Sequence, residues 1–269
     1  MDKRRVYVYP RVGLTGLCNM FYPWARAVVW ARDNNAHVIA PDWVRFWRVG
    51  VWLRWERDKR TYLNQFTNKG YICGVKKFWL LRMLNPLTEE VVRGWGNSPE
   101  NVIVGFSGRE EWGWMELFKK EARFLRSELE RITNPRIINS LSYLPKAFIG
   151  VHIRKGDFKY GDELQDDAYY LEGIFQARKK VGALPVLVFS DGEDEELQFL
   201  NKVSDLYQMP RAPAIHDVLA LSRAKAIVGT NHSTFSYWGA FLSCGKPSIF
   251  SRTKHKTTLP EDVCPVIYV

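Results

Sequence analysis

Cysteine is scarce in this chain, and long apolar runs are missing from it. The four cysteines, Cys18, Cys73, Cys244 and Cys264, have neither zinc-site spacing nor the density of a disulfide scaffold, so a reducing compartment is the simpler expectation. No stretch approaches the roughly 18–20 uninterrupted apolar residues of a spanning helix. Residues 1–5 lead into only a few apolar positions before Pro10 and Arg11, unlike a secretory leader. A cytoplasmic protein, at most peripheral at a membrane, is therefore expected. No Asp-x-Asp pair precedes a plausible nucleotide loop and the five histidines form no close cluster, so no metal site and no cofactor are expected. Acidic residues are in the minority, with 29 Asp and Glu against 39 Lys and Arg.

The basic excess is concentrated in one half. Residues 1–134 hold 23 Lys and Arg against 14 Asp and Glu, and ten of the eleven tryptophans; the remainder is nearly balanced, 16 against 15. Such a half suits a polyanionic partner, an anionic membrane surface or a carbohydrate acceptor with aromatic platforms. Its densest part runs from Trp43 to Arg60, where Trp43, Trp47, Trp52 and Trp55 interleave with Arg45, Arg48, Arg54 and Arg57. A packed substructure with arginines reaching to water is preferred, then an acceptor-facing or membrane-facing patch, with nucleic acid the least favoured partner.

Periodicity outlines alternating strands and helices. In the first half, Arg5–Tyr9 reads as a strand stopped by Pro10, Met20–Asn34 as a helix with one apolar stripe, and Ala36–Ala40 as a second strand. Lys76–Leu84 reads as a short basic helix, Asn101–Phe106 as a strand, and Trp114–Leu129 as a helix sending Leu117, Phe118, Phe124 and Leu125 to a core. Residues 134–145, rich in Asn, Ser and Pro, are the expected crossing between an N-terminal domain, 1–134, and a C-terminal domain, 135–269. In the second half the strands are 147–153, 185–189, 225–229 and 247–250. The helices between them are 167–180, 193–203, 215–224 and 235–244. This order predicts a doubly wound parallel sheet whose ligand crevice lies beyond Ile153, Phe189 and Gly229.

The residues following those strands carry the chemistry. After the apolar run Ala147–Val151 come His152, Arg154, Lys155, Gly156 and Asp157. Arg154 offers a planar fork for an anion such as phosphate, and Gly156 permits close backbone approach. Ser190 and Asp191 follow the second strand; Thr230 to Thr234 follow the third. Near the amino terminus, a strand, a Gly13–Asn19 turn and a helix form a plausible phosphate cradle.

These segments resemble the alpha-1,2-fucosyltransferase family, glycosyltransferase family 11, and more loosely the alpha-1,6- and protein O-fucosyltransferases. Val151–Phe158 is similar to that family's His-x-Arg-Arg-Gly-Asp-Tyr motif, with Lys155 and Phe158 as departures. Gly16, Leu17 and Asn19 match its amino-terminal glycine loop, with Cys18 and Met20 departing. Asn231–Leu242 matches its Asn-Ser-Thr-Phe-Ser block, and Phe189-Ser190-Asp191 its Phe-Ser-Asp.

The resemblance implies a GT-B-like fold, two Rossmann-like halves facing across a cleft, with the donor in the C-terminal half and the acceptor in the basic N-terminal one. It implies an inverting, metal-independent transfer of L-fucose from GDP-beta-L-fucose to a glycan hydroxyl, alpha-1,2 to a terminal hexose; the alternatives are transfer from another GDP-sugar, or a non-enzymatic basic protein that binds nucleic acid or an anionic surface through the Trp43 to Arg60 patch. Arg154 would neutralise the leaving diphosphate, assisted by Gly16, Asn19, His152, Lys155, Ser233 and Thr234. Asp191 would accept from ribose or guanine. Asp157 is the first candidate for a catalytic base, ahead of Asp162, Glu163, Asp166 and Asp167. Four bland readings stay open: a structural ion pair of Arg154 with Asp157, a plain tight turn at Gly13 and Gly16, a buried, satisfied His152, and Ser233 and Thr234 as a plain helix cap.

Overall fold

The computed structural model describes residues 5–13, 15–44, 61–93, 101–107, 115–156, 164–252 and 259–269. The chain forms two compact units, Met1–Asn134 and Pro135–Val269, each built on its own parallel sheet.

In the first unit, strands β1 (Val6–Arg11), β2 (His37–Val38), β3 (Leu87–Thr88) and β4 (Val102–Ser107) lie in the order β2-β1-β4-β3. Alternation along β1 decides what covers each face. Val8 packs with Ala27 and Ala31 of helix α1 (Leu17–Asp33), whereas Tyr7 packs with Ile39 and Ile103 beneath Leu80 and Leu81 of helix α2 (Gly74–Met83). β1 does not stop at Pro10 but runs on to Arg11, paired with β4 along its whole length. Pairing with β2 covers only Tyr7 and Val8, so the proline's missing donor falls beyond that neighbour. α1 starts three residues before the expected Met20, because the Tyr62 hydroxyl accepts from the Leu17 N–H at 2.9 Å.

The expected helix 114–129 is broken. A 3-10 turn, Met115–Glu121, kinks at Phe118 (φ −135°), and helix α4, Ala122–Ile132, follows the short α3, Glu89–Arg93, in chain order. Phe118 and Leu125 are buried while Leu117 is exposed, because the kink resets the face that helical spacing assigns. Trp43 is buried, stacked on Phe66 at 4.5 Å and donating to Asn68 at 2.9 Å, so it is a packing residue. Residues 45–60 lie outside the described residues. The stretch expected to be the crossing holds helix α5 (Pro135–Ser140) and a 3-10 turn, Leu141–Tyr143.

The second unit has strands β5 (Ile149–Ile153), β6 (Val186–Ser190), β7 (Leu206–Gln208), β8 (Ala226–Val228), β9 (Ser248–Phe250) and β10 (Val266–Tyr268), ordered β10-β9-β8-β5-β6-β7. This is the doubly wound order in which the chain reverses direction beside its first strand, so the loops after β5 and β8 diverge at the switch point. β7 and β10 were not foreseen: both are three-residue edge strands, too short to show alternation. The helices are α6 (Asp167–Val181), α7 (Ala214–Leu221) and α8 (Thr234–Leu242); the expected helix 193–203 is a 3-10 segment, Asp194–Lys202, closed by a Glu193–Glu196 capping box. Ile149, Val151 and Ile153 share one core with Tyr169, Tyr170, Ile174 and Ala177 of α6. His152, on the opposite face, meets Ser236 of α8.

Candidate active site

Strand β5 is buried along its whole length, so its polar continuation emerges at the sheet's carboxyl edge already positioned. Arg154, Lys155 and Gly156 form the emerging loop, and Asp191, just past β6, fastens it. Asp191 Oδ1 accepts from the Lys155 N–H (2.8 Å) and the Gly156 N–H (3.2 Å), while Oδ2 meets Arg154 Nη1 at 2.5 Å. A Cβ at position 156 would run into this carboxylate and displace it, so the glycine preserves the contact. The Ser190 hydroxyl donates to the Ile153 carbonyl (2.9 Å) and accepts from the Gly192 N–H (3.0 Å), tying the two loops together.

Strand parity separates the two cations. Lys155 leaves on the face of Ile153, toward α6, where its ammonium bonds Asp167 Oδ1 at 2.8 Å and lies 5.6 Å over the Phe199 ring. Arg154, of opposite parity, pairs with Asp191 and keeps its side chain about one-fifth exposed.

Sequence reasoning assigned no role to Thr230, which is fully buried where β8 ends. Its hydroxyl donates to the His152 carbonyl (2.8 Å) and accepts from the Arg154 N–H (3.0 Å), leaving a second lone pair for the Tyr170 hydroxyl at 2.8 Å. The Thr230 N–H donates to Ser236 Oγ at 2.9 Å. The remaining partner of Ser236 is His152 Nδ1, at 2.7 Å, so the serine O–H donates to that nitrogen and the imidazole keeps its proton on Nε2. Burial, and secondarily the Arg154 charge, push the His152 pKa down to about 3 against the opposing influence of Asp191, so the ring is neutral near pH 7. It stacks on Phe235 with centroids 4.6 Å apart. The one signal in the sequence was the cluster of hydroxyl residues within an otherwise apolar block.

Helix α8 begins beside these residues. Ser233 is its N-cap by position but makes no side-chain cap bond, so the plain capping role is not realised. Its N–H makes a long bond to the Thr230 carbonyl (3.4 Å), and His232, at φ +59°, donates its N–H to the Tyr237 hydroxyl at 2.8 Å. Gly229 is fixed by space, since a Cβ there would enter the Phe250 ring. Tyr237, Trp238 and Phe241 are core residues. Ser233 is buried, and α8 starts at Thr234, close in the chain to the end of β8.

Gly16 and Asn19 begin α1 in the first unit, where Asn19 Oδ1 is buried without a partner and the Asn19 and Met20 N–H groups turn back to the Gly16 carbonyl. Asp166 caps α6 through the Ala168 N–H, and Asp167 pairs with Lys155, so two of the candidate bases hold structure here. Asp157, Asp162 and Glu163 lie outside the described residues. Among the described residues no group of three or more His, Cys, Asp or Glu is placed to hold a metal ion, and no helix is long and apolar enough to cross a membrane.

The architecture is GT-B-like and is shared with solved fucosyltransferases. POFUT1 in complex with GDP superposes with a TM-score of 0.56 at 14% identity, covering 93% of this chain and 99% of that one. The NodZ fucosyltransferase from Bradyrhizobium gives 0.51 at 16%, covering 88% and 93%. A crystal of the NodZ alpha-1,6-fucosyltransferase grown with GDP gives 0.50 at 16%, covering 88% and 92%. At these identities the likeness is one of fold. No curated protein matches the chain in sequence. Residues 116–256, more than half of the chain, match the model of glycosyl transferase family 11. The chain belongs to that family and is a glycosyltransferase.

Proposed function

We propose that the chain transfers L-fucose from GDP-beta-L-fucose to a hydroxyl of a glycan acceptor with inversion, forming an alpha-1,2 linkage to a terminal hexose. The observation that carries this is Arg154 at the switch point, beside the hydroxyl-bearing start of α8. As the bond from the anomeric carbon to the diphosphate lengthens, negative charge grows on the leaving oxygen and the sugar becomes oxocarbenium-like. A guanidinium and helix N–H donors aimed at that oxygen gain strength as its charge grows. The neutral His152 is a second donor through Nε2–H. The solved relatives POFUT1 and NodZ were crystallised with GDP, which supports a guanosine diphosphate donor. Transfer from another GDP-sugar is the second reading, because the matching motifs serve mainly the diphosphate and nucleotide.

In this proposal residues 135–269 bind the donor and the basic residues 1–134 the acceptor. Gly16 and Asn19 complete the donor cradle, Asp157 is the base for the incoming hydroxyl, and the enzyme works in a cytoplasmic, reducing setting. Calorimetric titration with GDP, with and without magnesium, tests it on wild type and Arg154→Ala. The expected result is metal-independent binding that the variant loses, with kcat/KM for GDP-fucose down about 10²-fold or more. Near-normal turnover by the variant would overturn the placement of the site.

A further inference from the structure

Helix α2, Gly74–Met83, has two apolar faces, and the sheet covers only one. At about 100° per residue, Leu80, Leu81 and Leu84 fall together and pack over Tyr7, Ile39 and Ile103. Val75, Phe78, Trp79 and Met83 fall on the opposite side, where they are 74%, 60%, 54% and 76% exposed. Lys76 and Arg82 are exposed on that same outward arc. Four large apolar side chains exposed together on one helix face form a patch that points to an occupant.

Charge selects which one. The unit is basic, 23 Lys and Arg against 14 Asp and Glu through residue 134. Two copies joined through this face would bring Lys76 and Arg82 against their own kind. Aliphatic Val75 and Met83 are unsuited to a saccharide, which stacks on rings. Trp79 and Phe78 beside basic side chains suit the boundary between headgroups and acyl chains. We infer that α2 is a membrane-surface helix that lays Val75, Phe78, Trp79 and Met83 into an anionic lipid bilayer, with Lys76 and Arg82 on its headgroups. This goes beyond the proposed transfer reaction.

The full chain is sedimented with vesicles of phosphatidylcholine alone and of phosphatidylcholine mixed with phosphatidylglycerol. It should partition onto the anionic vesicles, and Phe78→Ser/Trp79→Ser should weaken that partitioning at least about tenfold. Lys76→Glu/Arg82→Glu should abolish the preference for anionic lipid. Unchanged melting temperatures establish that both variants remain folded, independently of whether the chain binds GDP. Absence of vesicle binding, equal binding by the variants, or a dimer that either variant dissociates would overturn the inference.

Discussion

The carboxylate of Asp191 meets the guanidinium of Arg154 at 2.5 Å while also accepting from the two backbone N–H groups that follow that arginine. One side chain thus sets both the path of the loop and the direction of its cation. If Asp191 were merely a counter-ion that phosphate displaces, removing it would tighten GDP binding. As a brace, its loss should weaken binding. Asp191→Ala leaves two part-buried donors without their acceptor, so GDP affinity is expected to fall about tenfold or more, with roughly 2–4 kcal/mol of stability lost. Gly156→Ala should lower affinity in the same direction by pushing the carboxylate aside. Calorimetry on both variants checks the sign, and tighter binding in Asp191→Ala would refute the bracing role.

Thr230 distributes its hydroxyl among the β5 backbone, Tyr170 and the Arg154 N–H. Thr230→Val keeps the shape and strands these groups in a fully buried position, so it should cost about 2–4 kcal/mol in chemical denaturation. Thr230→Ser retains the hydroxyl and should recover most of that loss. If the threonine mattered only for volume, valine would be the better replacement.

His152 makes stability depend on pH in a definite direction. Its folded pKa, about 3, lies below the ordinary histidine value of 6.5, so below pH 6.5 the unfolded chain takes up a proton that the folded one refuses. Its contribution is therefore present above pH 6.5 and is lost as pH falls toward 3. Between pH 7 and pH 5 this linkage should remove about 2 kcal/mol from wild type. In His152→Gln that component should disappear, although the variant starts less stable at pH 7. Denaturant midpoints at the two pH values measure the difference, and parallel slopes would rule out a neutral buried imidazole.

The parts of the molecule that could be read in advance were those whose physical signal is local. The buried strands around β5 and the turn residues after them follow from apolar runs ending in Arg154, Asp191 and Thr230. Three-residue edge strands such as β7 and β10 carry no such run. The kink at Phe118 was invisible because helical spacing persists across it, and Pro10 looked like a strand terminator only because the narrow reach of β2 could not be foreseen. At the site, residue types identified the anion-binding chemistry, but partner choice depended on tertiary geometry. Both Asp191 oxygens prove to be engaged by the loop that follows β5, a relationship between residues more than 30 positions apart.

Lys155 gives the sharpest separation between motif and geometry. The resemblance sets it where relatives carry a second arginine, which would add a contact to the donor. Parity sends its ammonium instead to Asp167 and the Phe199 ring, on the α6 side of the sheet. Lys155→Met keeps the length and apolar bulk of the stem while deleting the charge. Asp167 is nearly half exposed, so water can solvate the carboxylate left behind, and the stability cost should stay near 1 kcal/mol. GDP affinity should change by no more than about twofold, against a loss of about tenfold for a charge-assisted phosphate contact. A tenfold loss with an unchanged melting temperature would mean that the lysine swings to the donor on binding.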